Sequence, residues 1–219
     1  MIIAIDGPAG VGKSTVAKLL AARLGYLYLD TGALYRALAW KTLQSRIRPT
    51  DQAQVTTLLP ATSIHMQFQH GLVQVLVDGL DVTRDLRTPE VTTAASIVSA
   101  IPAVREWLLP IQRQISQRGS VVAEGRDIGT KVFPSAAFKF FLEADATVRV
   151  ARRHRELVAV GRGETVEATS QDLSDRDQRD RTRSIDPLVP ADDARFIDTS
   201  TLSPDQVVEQ MIAAMSTGS

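Results

Sequence analysis

The sequence predicts an α/β fold: a parallel sheet covered on both faces by helices, with a small antiparallel insert. Three observations predict it. Five short segments rich in apolar, β-branched or aromatic residues, Ile2 to Asp6, Tyr26 to Asp30, Val121 to Glu124, Phe138 to Glu143 and Arg195 to Asp198, are separated mostly by stretches of helical period. Such alternation implies parallel strands joined by crossover helices. Between Ser63 and Thr83 the period changes to two: Ile64, Met66 and Phe68 alternate, Val73 to Val77 follow, and Asp78-Gly79 is a hairpin signal. Finally, 219 residues at 44% hydrophobic content suffice for one substantial core and a small inserted subdomain, but not for two large domains.

The helices have legible ends. After the first strand, Val16, Leu19, Leu20 and Leu24 recur at helical spacing, and Gly25 stands where a C-cap glycine ends a helix. A helical stretch follows from Pro89. A second, around Val104 to Ser116, contains Pro110, which should kink or divide it. In the last helix Ser203 pairs with Gln206 as a capping box, Pro204 fits the first position, and Val207, Met211 and Ala214 form the inward stripe. Ser216 to Ser219 are expected to fray.

Composition narrows the function. A formal charge of zero removes the general electrostatic reason for nucleic-acid or membrane-surface binding. With no cysteine there is neither a disulfide framework nor a thiolate zinc site. The early apolar run Ile2 to Ile5 is too short for a signal peptide or a membrane span. Small-molecule partners are expected, without nucleic acid or membrane, in a cytoplasmic monomer. Of the 25 basic residues 20 are arginine, whose planar fork matches phosphate oxygens two at a time.

Gly7, four residues, then Gly12-Lys13-Ser14 lie directly between a strand and an amphipathic helix. In that context the motif is a phosphate-binding loop of the P-loop NTPase type. Gly7, Gly10 and Gly12 let the backbone wind around an anion, with Pro8, Ala9, Val11 and Thr15 completing the cradle. Lys13 can reach the β- and γ-phosphates of ATP, and Ser14 can offer a hydroxyl to Mg²⁺. The loop alone leaves GTPases, ATPase switches and small-molecule kinases open.

Phosphoryl transfer between two anions requires several arginines in one cleft. In DLSDRDQRDRTR, Arg176, Arg179, Asp180 and Arg183 would share one helical face. The competing reading is a solvated helix, because Asp172 with Arg176, Asp175 with Arg179 and Asp177 with Arg181 are acid-before-base pairs at favourable spacing. Arg152, Arg153 and Arg155 form a second cluster, followed by a Gly161-Arg162-Gly163 break suited to the hinge of a short lid. Glu124, ending a buried-looking strand, can hold Mg²⁺ through water or serve a helix cap. His65, His70 and His154 have no metal-ligand spacing.

The segments IDGPAGVGKST, LDTGALYR, RTPEV followed by AAS, VREWL, AEGRDIGT, VFP, RDQRDRTR and PLVPA together resemble the bacterial cytidylate kinases, in unbroken order over almost the whole chain. The resemblance implies a three-layer α/β/α fold with a five-stranded parallel core (residues 1–62, 101–150 and 184–219), an enlarged monophosphate-binding insert (about 63–100) and a short lid region (about 151–183). It implies transfer of the ATP γ-phosphate to CMP or dCMP. Arg36, Arg126 and Arg183 then correspond to arginines on the acceptor phosphate, with Thr31 nearby. Arg153 and Arg179 correspond to lid arginines on the transferring group, and Asp180 with Arg176 to the sugar-binding pair. Ser96, Arg105 and Asp127 correspond to the base-binding positions. Lys131, where the family more often has an apolar residue, is expected to be exposed.

Overall fold

In a computed structural model of the chain, residues 1–69, 72–159, 161 and 163–216 are described. They form two compact units, Met1–Leu29 with Gly119–Ser219, and Asp30–Arg118.

The first unit is built on the parallel sheet. β1 (Ile2–Asp6), β2 (Leu27–Asp30), β6 (Val121–Glu124), β7 (Phe138–Glu143) and β8 (Arg195–Asp198) lie in the order β2-β6-β1-β7-β8. All five predicted strands are present. β1 runs parallel to both β6 and β7, and β7 parallel to β8. As the middle strand β1 is apolar nearly throughout, and Ile3, Ala4 and Ile5 are fully buried. The β1–β6 register sets Glu124 beside Ile5, so the carboxylate ends its strand two residues short of Gly7.

α1 (Lys13–Leu24) packs Val16, Ala17, Leu20 and Ala21 on this core. Gly25 ends it in the left-handed conformation (φ 66°), its N–H returning to the Ala21 and Ala22 carbonyls. α8 (Pro204–Ser216) starts with the predicted capping box: Gln206 N–H donates to Ser203 Oγ at 3.2 Å, and Ser203 N–H donates to Gln206 Oε1 at 2.8 Å. Its Val207, Val208 and Met211 close the core. α6 (Ala146–Ala159) and α7 (Val166–Thr182) follow β7. The glycine break expected after the arginine cluster falls between them, with Gly161 at φ 78°; Arg162 lies outside the described residues, as do His70 and 217–219.

The second unit begins with Asp30 capping α2 (Thr31–Gln44) through the Ala33 N–H, and Asp51 capping α3 (Gln52–Leu58) through the Gln54 N–H. β3 (Ile64–Gln69), β4 (Leu72–Val77) and the short β5 (Leu80–Asp81) are antiparallel, as the change of period predicts. Ile64 and Met66 point inward, whereas the side chain of Phe68 lies outside the described residues. Asp78 and Gly79 both take positive φ (50° and 83°), the primed turn that suits the twist of a hairpin. α4 (Pro89–Val98) is capped by Thr88.

Of the kink or division expected at Pro110, division does not occur: α5 (Pro102–Ile115) continues through it as one helix. The proline stands on the exposed face, and the carbonyl of Glu106, which loses its partner, is on that same face where water can satisfy it. Among the described residues no single helix is long and apolar enough to cross a membrane.

Candidate active site

The turn from β1 into α1 has the glycine backbone geometry that the motif predicts. Gly7, Gly10 and Gly12 all have φ in the positive range (146°, 77° and 93°). Gly7 is also sterically fixed, since a Cβ there would lie 2.3 Å from the Leu142 carbonyl oxygen of β7. Gly12 occupies the cap of α1 and offers no side-chain acceptor, so the first-turn N–H groups of Lys13, Ser14 and Thr15 point at the loop without a capping partner.

Lys13 is buried at the start of α1, and its Nζ donates to the Pro8 carbonyl at 2.6 Å. Burial, then the neighbouring Arg126 and Arg176 cations, hold its pKa well below the ordinary lysine value despite the carboxylates of Glu124 and Asp180. An arriving phosphate oxygen would reverse that imbalance. Glu124 is buried and accepts from the Tyr28 hydroxyl at 2.5 Å.

A second cluster lies where the segment after β6 meets α7. Arg126 Nε donates to Asp180 Oδ2 at 2.7 Å. Arg183, just past the end of α7, stands 3.4 Å from Asp127 and 4.0 Å from Asp180, and donates through Nε to the Asp186 carbonyl at 2.6 Å. Burial raises the pKa of the Asp180 carboxyl, but Arg126, Arg176 and Arg183 together outweigh it and hold the group below the usual range. Burial likewise disfavours the Arg126 cation, and Asp180 leads the charges that overcome it. The solvated-helix reading of α7 fails at two positions: Asp177 and Asp180 are both buried. Asp177 pairs with Arg149 of α6 and accepts from the Ala9 N–H at 3.2 Å. Of the α6 arginines, Arg152 donates to Thr199, and Arg153 donates to Glu156 on its own helix at 3.2 Å.

In the second unit, Arg36 donates to Asp30 at 2.5 Å, and Arg87 approaches the same oxygen at 4.0 Å. Burial raises the Asp30 pKa; the two guanidiniums and the Arg36 and Ala33 hydrogen bonds bring it below the ordinary value. Arg36 Nε is buried without a hydrogen-bond partner among the described residues, leaving a donor available to an incoming anion. Thr31 is buried in the first turn of α2 and Ser96 in α4. Arg105 is buried in α5, 5.5 Å from the Tyr35 ring centroid, and donates to the Ser99 carbonyl at 3.2 Å.

A family profile described as cytidylate kinase matches residues 3–217. The chain belongs to the cytidylate kinase family. It is 46% identical over 217 residues to a cytidylate kinase of Pelotomaculum thermopropionicum, covering 99% of this chain and 96% of the relative. It is 47% identical over 216 residues to one from Desulforamulus reducens, covering 99% and 97%. An uncharacterized protein from Eubacterium ventriosum has a similar fold, with a TM-score of 0.55 at 14% identity and coverage of 99% and 98%.

Within this cytidylate kinase framework, some site residues have weak sequence signals. Asp6, the last residue of β1, accepts from the Ile128 and Gly129 N–H groups at 2.8 and 2.7 Å, tying the phosphate loop to the wide helical turn Ile128–Val132. Burial pushes its pKa up to about 6 against those two hydrogen bonds. An aspartate just before the first loop glycine was the available clue. Asp30 was read only as the end of a strand, and its ion pair with Arg36 spans six residues, a spacing no helical rule anticipates. Lys131 is 46% exposed, as expected, and lies 3.6 Å from Asp186.

Proposed function

We propose that this chain transfers the γ-phosphate of ATP to CMP or dCMP, giving ADP and CDP or dCDP. The observation that carries the reading is the buried Lys13, set on an uncapped helix N-terminus and flanked by Arg126 and Arg176. Such a concentration of fixed positive charge favours a polyphosphate.

Gly7 to Thr15 hold the triphosphate, and Lys13 stabilises charge developing on the γ-phosphoryl group. From the second unit, Arg36 binds the acceptor phosphate, with Thr31 beside it; Ser96 and Arg105 read the base. From the first, Arg126 and Arg183 bind phosphate oxygens, Asp180 with Arg176 binds the sugar, and Arg153 and Arg179 accompany the transferring group. Asp127 accepts from the cytosine amino group while Arg105 donates to the ring acceptors. Uracil reverses that donor–acceptor pattern, so UMP is disfavoured. An acceptor phosphate oxygen attacks the γ-phosphorus in line as the bond to the ADP oxygen breaks. The attacking oxygen is already anionic, and no general base is assigned.

Mg²⁺ fits the donor set. Among the described residues no three acidic or histidine side chains form a cage, and Mg²⁺ in phosphoryl transferases takes few protein ligands beside phosphate oxygens and water. The Ser14 hydroxyl would hold it directly and Glu124 through water, where it would neutralise charge on the β- and γ-phosphates. We assign residues 1–62, 101–150 and 184–219 to the core, about 63–100 to the monophosphate-binding insert, and about 151–183 to a lid. A cytoplasmic monomer acting on small nucleotides, with neither nucleic acid nor membrane as partner, completes the proposal. ³¹P NMR of a mixture with ATP, Mg²⁺ and CMP tests it: CDP resonances should grow as ADP forms, and their absence would exclude the reaction.

A further inference from the structure

We infer that Arg149 and Asp177 are positioning residues that hold α6 and α7 against the Ala9 peptide of the phosphate loop, so that the arginines of α7 meet the transferring phosphoryl group in register. The inference rests on the proposed phosphoryl transfer.

Both polar groups of Ala9 are held. Its N–H donates to Asp177 Oδ1 at 3.2 Å, and its carbonyl accepts from Arg149 Nη1 at 3.1 Å. The same Nη1 donates to Asp177 Oδ2, closing a triangle between the loop and two helices. Ala9 and Asp177 are buried, and the Arg149 side chain is 14% exposed, so water competes little for these bonds. The neighbouring Gly10 admits the approach. A Cβ there would lie 3.1 Å from both the Cβ and the carbonyl oxygen of Arg149, and Gly10 already has φ 77°.

Asp177 is not placed to bind phosphate. Its carboxylate would repel the anion, and one of its oxygens already accepts from the Ala9 N–H. What the triangle does is fix α7. Asp177 and Asp180 are neighbours on one turn, and Asp180 is tied to Arg126 beyond β6. That turn is therefore fastened at two points, to the phosphate loop and to the arginine cluster, with Arg176 directly before the first and Arg179 directly before the second. Small misplacement of such groups costs rate far more than binding.

The test compares Arg149→Ala, Asp177→Ala, the double variant and Asp177→Asn, with circular dichroism melts to establish folding. Each alanine variant should lower kcat for CMP about 30- to 100-fold with KM for CMP within about threefold, and the double variant should lose no more than the worse single one. Asparagine keeps an acceptor for the Ala9 N–H and should recover about a tenth or more of wild-type kcat. Should an alanine variant not fold, Asp177→Asn and Arg149→Lys carry the test with the same kcat and KM readouts. Unchanged kcat, a loss confined to KM, or losses that multiply in the double variant would overturn the inference. Amide exchange at Ala9 should rise about tenfold in Asp177→Ala, which removes the acceptor, and an unchanged rate would remove the clamp. This arm needs no turnover. If the wild type forms no CDP while Ala9 exchange behaves as stated, the proposed reaction fails and the clamp stands.

Discussion

Replacing Asp180 by asparagine removes a carboxylate that Arg126, Arg176 and Arg183 all act upon. The Asp180 side chain is only 7% exposed, Arg126 15% and Arg183 4%, so solvent screens these two guanidiniums poorly. Breaking a buried pair by removing one partner costs about 3 to 5 kcal/mol, and asparagine retains an acceptor for Arg126 Nε, which favours the lower end. In a chain of this size about 3 kcal/mol corresponds to a fall of roughly 6 to 12 °C in Tm. The assay is thermal unfolding followed by circular dichroism at pH 7 and low salt. Added sulfate should narrow the gap, because an anion can replace the missing negative charge. The sign with pH also follows. The folded-state pKa of Asp180 lies below its unfolded value, so the contribution is complete above the unfolded pKa of 3.8 and is lost as pH falls through the folded value. The difference between variant and wild type should therefore be constant near neutrality and shrink in acid. A Tm within about 2 °C of wild type, or a more stable variant, would refute the charge-balance reasoning.

Lys13→Met should lower kcat for CMP by about a hundredfold or more without unfolding the chain, measured by coupled ADP release. Asp6 should titrate near pH 6 in carboxyl ¹³C NMR. Because its pKa is raised on folding, it makes the fold less stable as pH rises from about 4 to about 6, and Asp6→Asn should flatten that part of the stability curve. Gly7→Ala sets a Cβ against the Leu142 carbonyl, so little folded protein should be recovered on size-exclusion chromatography. Ser203→Ala removes the α8 cap and should cost about 1 kcal/mol, or roughly 2 to 4 °C in Tm.

The parallel sheet was readable because β1, β6 and β7 are buried on both faces and so appear as short apolar runs rather than alternating ones. The phosphate loop was readable because its glycines are required by backbone geometry, which leaves a fixed spacing. Pro110 does not divide α5, because the carbonyl it orphans lies on the exposed face, which local propensity cannot see. The ties between distant residues were less legible. Asp177 reads locally as the acidic partner of Arg181 four residues on, yet its partners are Arg149 and Ala9, the latter 168 positions away. Asp6 joins Gly129 across 123 positions. Such links arise when β1, β6 and β7 lie side by side, and no periodicity records them. The arginines, by contrast, were visible as a compositional excess, although Arg153 pairs with Glu156 on its own helix while Arg126 and Arg183 enter the buried cluster.

The most direct test of the central claim is ADP release from ATP and Mg²⁺ with CMP, dCMP, UMP, AMP or no acceptor. CMP and dCMP should support rapid ADP formation, UMP and AMP much slower formation, and the blank almost none. Equal rates with UMP or AMP would contradict the base-reading roles of Arg105 and Asp127. ADP formed as fast without an acceptor would contradict the kinase itself.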